Sequence, residues 1–204
     1  MTGKTHMVSG IAASFAVVLP KTPKEMLLCI GAAAIGAVIS DIDVSTSEAR
    51  RNFNKLLKVV ALILLITEFL EYHFQLGILN MARHHGYLLT TAGFFLFFFV
   101  CIYGKEQPHR SFMHSILGLF LLTFSVYMMF PPASFPFAVA MISHVVLDLL
   151  NKRKVKLFYP FRKGVAFSIC RSDGIVNTVL FYLSCFISLG IGAFLLFHYF
   201  TISI

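Results

Sequence analysis

His144 and Asp148 stand four residues apart in a stretch that holds no other charge, so on a helix they share one face, with Asn151 at the seventh position along it. Imidazole nitrogen and carboxylate oxygen together suit zinc, manganese or iron, and a site with open coordination positions can activate water. Asp41 and Asp43 add two carboxylates. Two residues apart, they cannot share a helical face, but an irregular turn can present both, one bridging two ions and the other binding terminally. His109 and His114 bracket the segment His109-Arg110-Ser111-Phe112-Met113-His114-Ser115. Their spacing of five works if His109 lies in a loop and Ser111 caps a helix whose first turn holds His114. Arg110 would then be a fixed cation suited to phosphate or carboxylate. His6 completes a set of seven ligands, as a direct ligand or as a group supporting one.

The elements that must position these residues are membrane helices. The chain has 204 residues, 58% of them hydrophobic and only 13% charged, with 23 Phe, too apolar a balance for a soluble domain of this size. A bilayer core of ~30 Å needs about 20 apolar residues per helix, so the chain supplies roughly six or seven spans. The expectation is an all-α, polytopic helical bundle forming one integral-membrane domain over residues 1–204. Apolar runs at 7–19 and 26–40 read as a hairpin broken by Pro20, Lys21, Pro23 and Lys24. After a polar stretch, a third helix is expected to begin near Leu56, a fourth over 87–104, and two more within 111–151, divided by Pro131, Pro132 and Pro136. The uncharged end from Ile175 gives the seventh.

With the N-terminus cytoplasmic, seven spans place 14 of the 17 Lys and Arg residues inside, leaving Lys21, Lys24 and Arg83 outside. This asymmetry accounts for the net charge of +8 without nucleic acid. It also puts His6, Asp41, Asp43, His109, His114, His144 and Asp148 on one face, although orientation was assigned from Lys and Arg alone. Intramembrane ionisable groups are costly unless they serve a site. A second group, Glu71, His73, His84 and His85, falls on the other side and reads as solvated residues. Cys29, Cys101, Cys170 and Cys185 form no CxxC pair and read as buried thiols. No small-x-small cleavage site precedes Pro20, so the first run is expected to be a retained helix. Ser45, Thr46 and Ser47 suit a turn or cap, and the basic run at 152–156 an anchor on anionic lipid.

Thr5-His6, Ser40-Asp41-Ile42-Asp43, His109-Arg110 with His114-Ser115, and His144 through Asp148 to Asn151, followed by Tyr159-Pro160-Phe161, resemble in order and spacing the YdjM-type family of SOS-regulated bacterial inner-membrane proteins. The resemblance spans nearly the whole chain. It departs at Ser40, where the family has Pro, and at Ser111 and Met113, where it has Gly and Thr. It implies a multi-pass protein of the inner membrane and a metal-dependent hydrolase, distantly similar to zinc-dependent phospholipase C and P1 nuclease.

The resulting expectation is hydrolysis of a lipid phosphoester or similar amphiphile at the cytoplasmic leaflet. One or two divalent ions, zinc first and manganese or iron next, would be held by the seven residues. Asp43, Arg110 and His114 would take part in catalysis, with a non-bridging Asp as general base and Arg110 orienting the anionic group. Membrane lipid is the expected environment and substrate, and nothing in the chain specifies an oligomeric state. The alternative is a non-enzymatic metal-binding, transport or scaffold protein of the membrane.

Overall fold

The computed structural model describes residues 1–74, 87–170 and 174–202, with no account of the side chains of Glu68, Leu70, Glu71, Tyr72, Phe74 and Ile202. Among them are seven α-helices: α1 Gly3–Val18, α2 Pro23–Ile39, α3 Glu48–Phe74, α4 Leu88–Lys105, α5 Ile116–Met129, α6 Pro131–Leu149 and α7 Ile175–Ile202. Two 3-10 turns, Ser40–Asp43 and Phe112–His114, carry site residues. No strand occurs among the described residues; the 151–170 segment holds two isolated bridges.

Short polar side chains set the helix starts. The Thr2 hydroxyl accepts from the Thr5 amide (3.4 Å) and that of Thr22 from the Glu25 amide (3.2 Å), with Pro23 fitting the first turn of α2. α3 begins at Glu48 rather than near Leu56, because Ser47 Oγ accepts from the Arg50 amide at 3.0 Å and so starts the helix within the polar stretch. The cap expected of Ser111 belongs instead to Ser115, which takes the Gly118 amide at 3.1 Å. Ser111 Oγ is already used as a donor to the Pro108 carbonyl, so His114 falls in the turn before α5. The chain breaks at Phe130, between α5 and α6, while Pro136 sits inside α6.

Pro23–Asp43, Leu88–Lys105, Pro131–Leu149 and Ile175–Thr201 are long and apolar enough to cross a membrane. α1 has 16 residues and α5 has 14, about 24 and 21 Å at 1.5 Å per residue. Exposed Leu, Ile and Phe side chains cover α4, α5 and α7, as expected where hydrocarbon is the solvent.

α1, α2 and α6 form the tight centre of the bundle. Lipid offers no hydrophobic drive for helices to associate, so close van der Waals approach between small residues has to supply it. A Cβ on Gly10 would meet Ala37 Cβ at 2.6 Å and Ala140 Cβ at 3.1 Å, and one on Gly36 would collide with the Phe137 carbonyl. Ala33, Ala37 and Ala140 are fully buried in this seam. α1 also packs on α7, with Ser9 and Ser184 hydroxyls 2.8 Å apart. α3 by contrast packs mainly on the Ser40–Asp43 turn through its first turns, where Phe53 is buried; Leu62, Ile63 and Leu65 are exposed. After α6 the chain folds back over the polar end of the bundle. Val155 and Val165 exchange backbone hydrogen bonds at 2.8 and 2.9 Å, and the Lys156 amide donates to the Arg110 carbonyl at 2.9 Å.

Candidate metal centre

Each of the seven residues sits at the end of an element: His6 in the first turns of α1, Asp41 and Asp43 in the turn closing α2, His109 and His114 before α5, His144 and Asp148 in the last turns of α6. Their meeting shows that α1, α2, α5 and α6 alternate in direction. Three overlapping groups result, His6 with His144 and Asp148, Asp41 with His114 and His144, and Asp43 with His109 and His114, each with donor atoms within 4.8 Å of one another. The fold thus brings together the seven residues that the sequence offered as candidate ligands.

The partners of each atom sort the seven by task. His144 Nδ1 donates to the Ala37 carbonyl at 2.6 Å, which leaves Nε2 of the neutral ring with its lone pair facing inward. That Nε2 lies 3.2 Å from His114 Nε2, 3.6 Å from Asp41 Oδ1 and 4.0 Å from Asp148 Oδ2. His114 Nε2 is 3.4 Å from the same Asp148 oxygen. Around an ion with bonds of ~2.0–2.1 Å, tetrahedral donors sit roughly 3.3–3.4 Å apart, so Asp41, His114 and His144 could hold a zinc-sized ion, and Asp148 Oδ2, 4.0 Å from His144 Nε2, would have to draw closer to join them. The chemistry of this inner set, two imidazoles and two carboxylates, equally suits manganese or iron.

Around this set, other groups hold the ligands. Asp148 Oδ1 accepts from Arg110 Nη2 at 2.8 Å and Asn151 Nδ2 at 3.1 Å, and the Met1 ammonium lies 3.5 Å away, which leaves Oδ2 towards His114 and His144. Asp43 Oδ1 is 2.8 Å from His109 Nδ1, while Oδ2 accepts from the Arg110 amide at 3.2 Å and lies 3.3 Å from His114 Nδ1. A carboxylate behind an imidazole whose other nitrogen faces an ion fixes the ring and raises its basicity. His6 stacks on His144 with ring centroids 3.9 Å apart and points Nε2 at Asp148 Oδ1 from 3.5 Å.

Two buried nitrogens, His6 Nδ1 and His114 Nδ1, lack a partner in hydrogen-bond geometry, as does Arg110 Nε. Burial alone would push the His114 pKa down, but the carboxylates of Asp148 and Asp43, 3.4 and 3.3 Å from its two nitrogens, outweigh it and raise it to about 9. An uncharged ring is not what this pair of carboxylates selects. They favour a cation between them, and a metal ion can take the place of the proton.

Arg110 departs from the expected substrate clamp. Its guanidinium is spent on Asp148 and on the Arg153 carbonyl (2.8 Å), and it is 5% exposed. Its positive φ of 63° turns the backbone so that the amide meets Asp43 while the side chain reaches Asp148. Sequence reasoning also missed the Ala37 and Arg153 carbonyls; the run of small residues in α2 was the one hint that a backbone oxygen would come this close. A cleft of about 230 Å³ opens onto the centre, lined among others by His6, Asp41, Ser47, His109 and Arg153. Of the second group read from the sequence, His84, His85 and the Glu71 side chain lie outside the described residues, and His73 is exposed, its ring 4.4 Å from Phe69.

Helices of membrane-spanning length around a buried His and Asp cluster able to hold a metal ion define an integral-membrane protein with a candidate metal centre. The chain belongs to the YdjM inner membrane protein family, whose model matches residues 1–204. No curated protein and no solved structure matches it.

Proposed function

We propose that the chain is a membrane-bound, metal-dependent hydrolase that cleaves a phosphoester or similar ester of an amphiphile at the cytoplasmic face. The observation that carries this reading is the split of ligand atoms. His114 Nε2, His144 Nε2, Asp148 Oδ2 and Asp41 face one another, while His144 Nδ1 is held by the Ala37 carbonyl, Asp148 Oδ1 by Arg110 and Asn151, and His114 Nδ1 lies 3.3 Å from Asp43. A centre built only to bind its ion needs no cleft; this one keeps Asp41, with its side chain 20% exposed, at the wall of an open space. When bound, a divalent ion supplies a Lewis acid for the ester and lowers the pKa of water.

The protein's own groups do the rest. Asp43 holds His109 Nδ1, which leaves the other ring nitrogen of a 31% exposed imidazole at the cleft for proton transfer to a leaving group. The carboxylate of Asp43 has both oxygens engaged, so its task is orientation rather than that of general base. Arg110 fixes Asp148, and the anionic group of the substrate meets the cations of the 152–156 loop. The bias of Lys and Arg supports a cytoplasmic cleft and spans beyond the four that are long and apolar enough.

Metal content per chain, measured by elemental analysis after mild detergent purification, tests the reading alongside a screen of lipid and short-chain phosphoesters. Bound zinc or manganese in the wild type, lost together with turnover in His144→Ala and Asp41→Ala, is the expected result. A folded protein that takes up no metal when it is added back would overturn it.

A further inference from the structure

A second space adjoins the cleft. It measures about 660 Å³, within the ~300–1,000 Å³ of small-molecule sites, and its walls are mostly carbon. α1 contributes Lys4 and Met7, the end of α2 Val38, the turn after it Asp41, and the start of α3 Ala49 with its cap Ser47. Asp41 and Ser47 line both spaces, so the apolar groove and the metal cleft share a wall at the carboxylate that faces His144.

The groove exists because α3 leans on the Ser40–Asp43 turn and not on α1 or α2, leaving its first turns as a third wall. Val38 lies one turn inside the span that ends at Asp43, so the groove starts at the polar end of the bundle and runs towards the hydrocarbon. Met7, 36% exposed, offers a flexible apolar surface on the same side. Apart from Asp41, its charged lining is Lys4 and Glu48, of opposite sign. A water-soluble substrate has no use for such a groove beside a polar centre; a single alkyl chain does, because the groove keeps its carbon out of water while its head group reaches the centre.

We propose that this groove is the hydrocarbon subsite of the centre, taking one alkyl chain of a phosphoester lipid drawn from the same leaflet while the head group lies at Asp41. The inference rests on the hydrolase reading for the identity of that head group, and on the shared wall and apolar lining for the chain. Ser47 stands at the junction, where head and chain meet.

The sequence contains no Trp, so one introduced Trp reports its own surroundings. Met7→Trp would place a fluorophore in the groove, with Val38→Trp as a second position if the first does not insert; Phe186→Trp, on the exposed face of α7, serves as the lipid-facing comparison. The probe is an alkyl phosphate brominated along its chain, added to protein in nanodiscs of unbrominated phospholipid. Saturable quenching is expected at Met7→Trp, against a shallow, non-saturating decline at Phe186→Trp. Adding Ala49→Phe should weaken the saturable phase at least tenfold without changing metal content. Equal, non-saturating quenching at both positions in a metal-loaded protein overturns the subsite, even if the protein hydrolyses a short soluble phosphoester. Saturable quenching at Met7→Trp in a metal-loaded protein that, with His144 intact, hydrolyses no phosphoester leaves the subsite standing and removes the hydrolase reading instead.

Discussion

Asp41 and Asp43 sit two residues apart on one short turn, yet the fold treats them in opposite ways. Asp43 is sealed, with one oxygen on His109 Nδ1 and the other shared between the Arg110 amide and His114 Nδ1. Asp41 has a partly exposed side chain, lines both the cleft and the groove, and faces one imidazole from 3.6 Å. Asp148 repeats the contrast within a single carboxylate: Oδ1 is engaged by Arg110 and Asn151, Oδ2 faces the two imidazoles. A buried carboxylate without a partner is expensive, so each oxygen must be either held by the protein or satisfied by a bound cation. Holding and binding are divided atom by atom, and the side with fewer protein partners marks where the ion and its substrate belong.

Arg110 joins the two regions, its amide on Asp43 and its guanidinium on Asp148, so removing it breaks the comparison altogether. Arg110→Met should cost about 3–5 kcal/mol, the range for leaving one member of a buried ion pair unpaired, and should empty the metal centre. Unfolding midpoints in detergent together with metal content check this; a variant as stable and as metal-loaded as wild type would contradict the positioning role. Gly36→Val acts on the scaffold under both regions. Its side chain would strike the Phe137 carbonyl, push α2 from α6 and separate the Ala37 carbonyl from His144, at about 1–3 kcal/mol for an overpacked seam. The expected signature is a lower unfolding midpoint together with weaker metal binding.

The sharpest form of the comparison is a pair of isosteric changes. Asp41→Asn removes a ligand and should abolish metal retention. Asp43→Asn removes the group behind His114 and should weaken affinity by roughly 10–100-fold, the range for such outer partners, while leaving a site that still fills at high metal concentration. Competition titrations with a chelator separate the two. Equal losses would mean that both Asp residues are ligands and that the division drawn here is wrong.

The class of fold was legible because twenty-residue apolar runs and a skewed distribution of Lys and Arg are direct consequences of the bilayer as solvent. That the seven candidate ligands cluster was legible because ionisable groups are rare in and beside such runs, so those that remain stand out. Helix boundaries were less so. Charge in the 48–58 stretch suggested loop, but a Ser47 cap allows the helix to begin there with its charged turns in water. The choice between Ser111 and Ser115 as cap turned on where Ser111's hydroxyl finds a nearer acceptor, the Pro108 carbonyl, which spacing does not reveal. The same limit hid the task of Arg110. Its type announces an anion partner, but whether that anion is a substrate or Asp148 depends on a left-handed backbone turn at that one residue.

The smallest expected effect lies at Ser47, which touches the Asp41 side of the comparison and not the Asp43 side. Its hydroxyl donates to the Asp41 carbonyl at 2.6 Å and accepts from the Arg50 amide at 3.0 Å, tying the start of α3 to the turn that presents Asp41. Ser47→Ala removes both bonds at a cost near ~1 kcal/mol, as for other lost caps. Because Asp43 is held independently by His109 and Arg110, the loosened turn should be felt at Asp41 alone. Metal affinity should fall a few-fold while the unfolding midpoint shifts only slightly, and combining Ser47→Ala with Asp43→Asn should multiply their separate effects on affinity, as independent sites do. If the double variant loses no more than Asp43→Asn does, the two halves of the turn move as one body and Asp41 owes its openness to the same contacts that close Asp43.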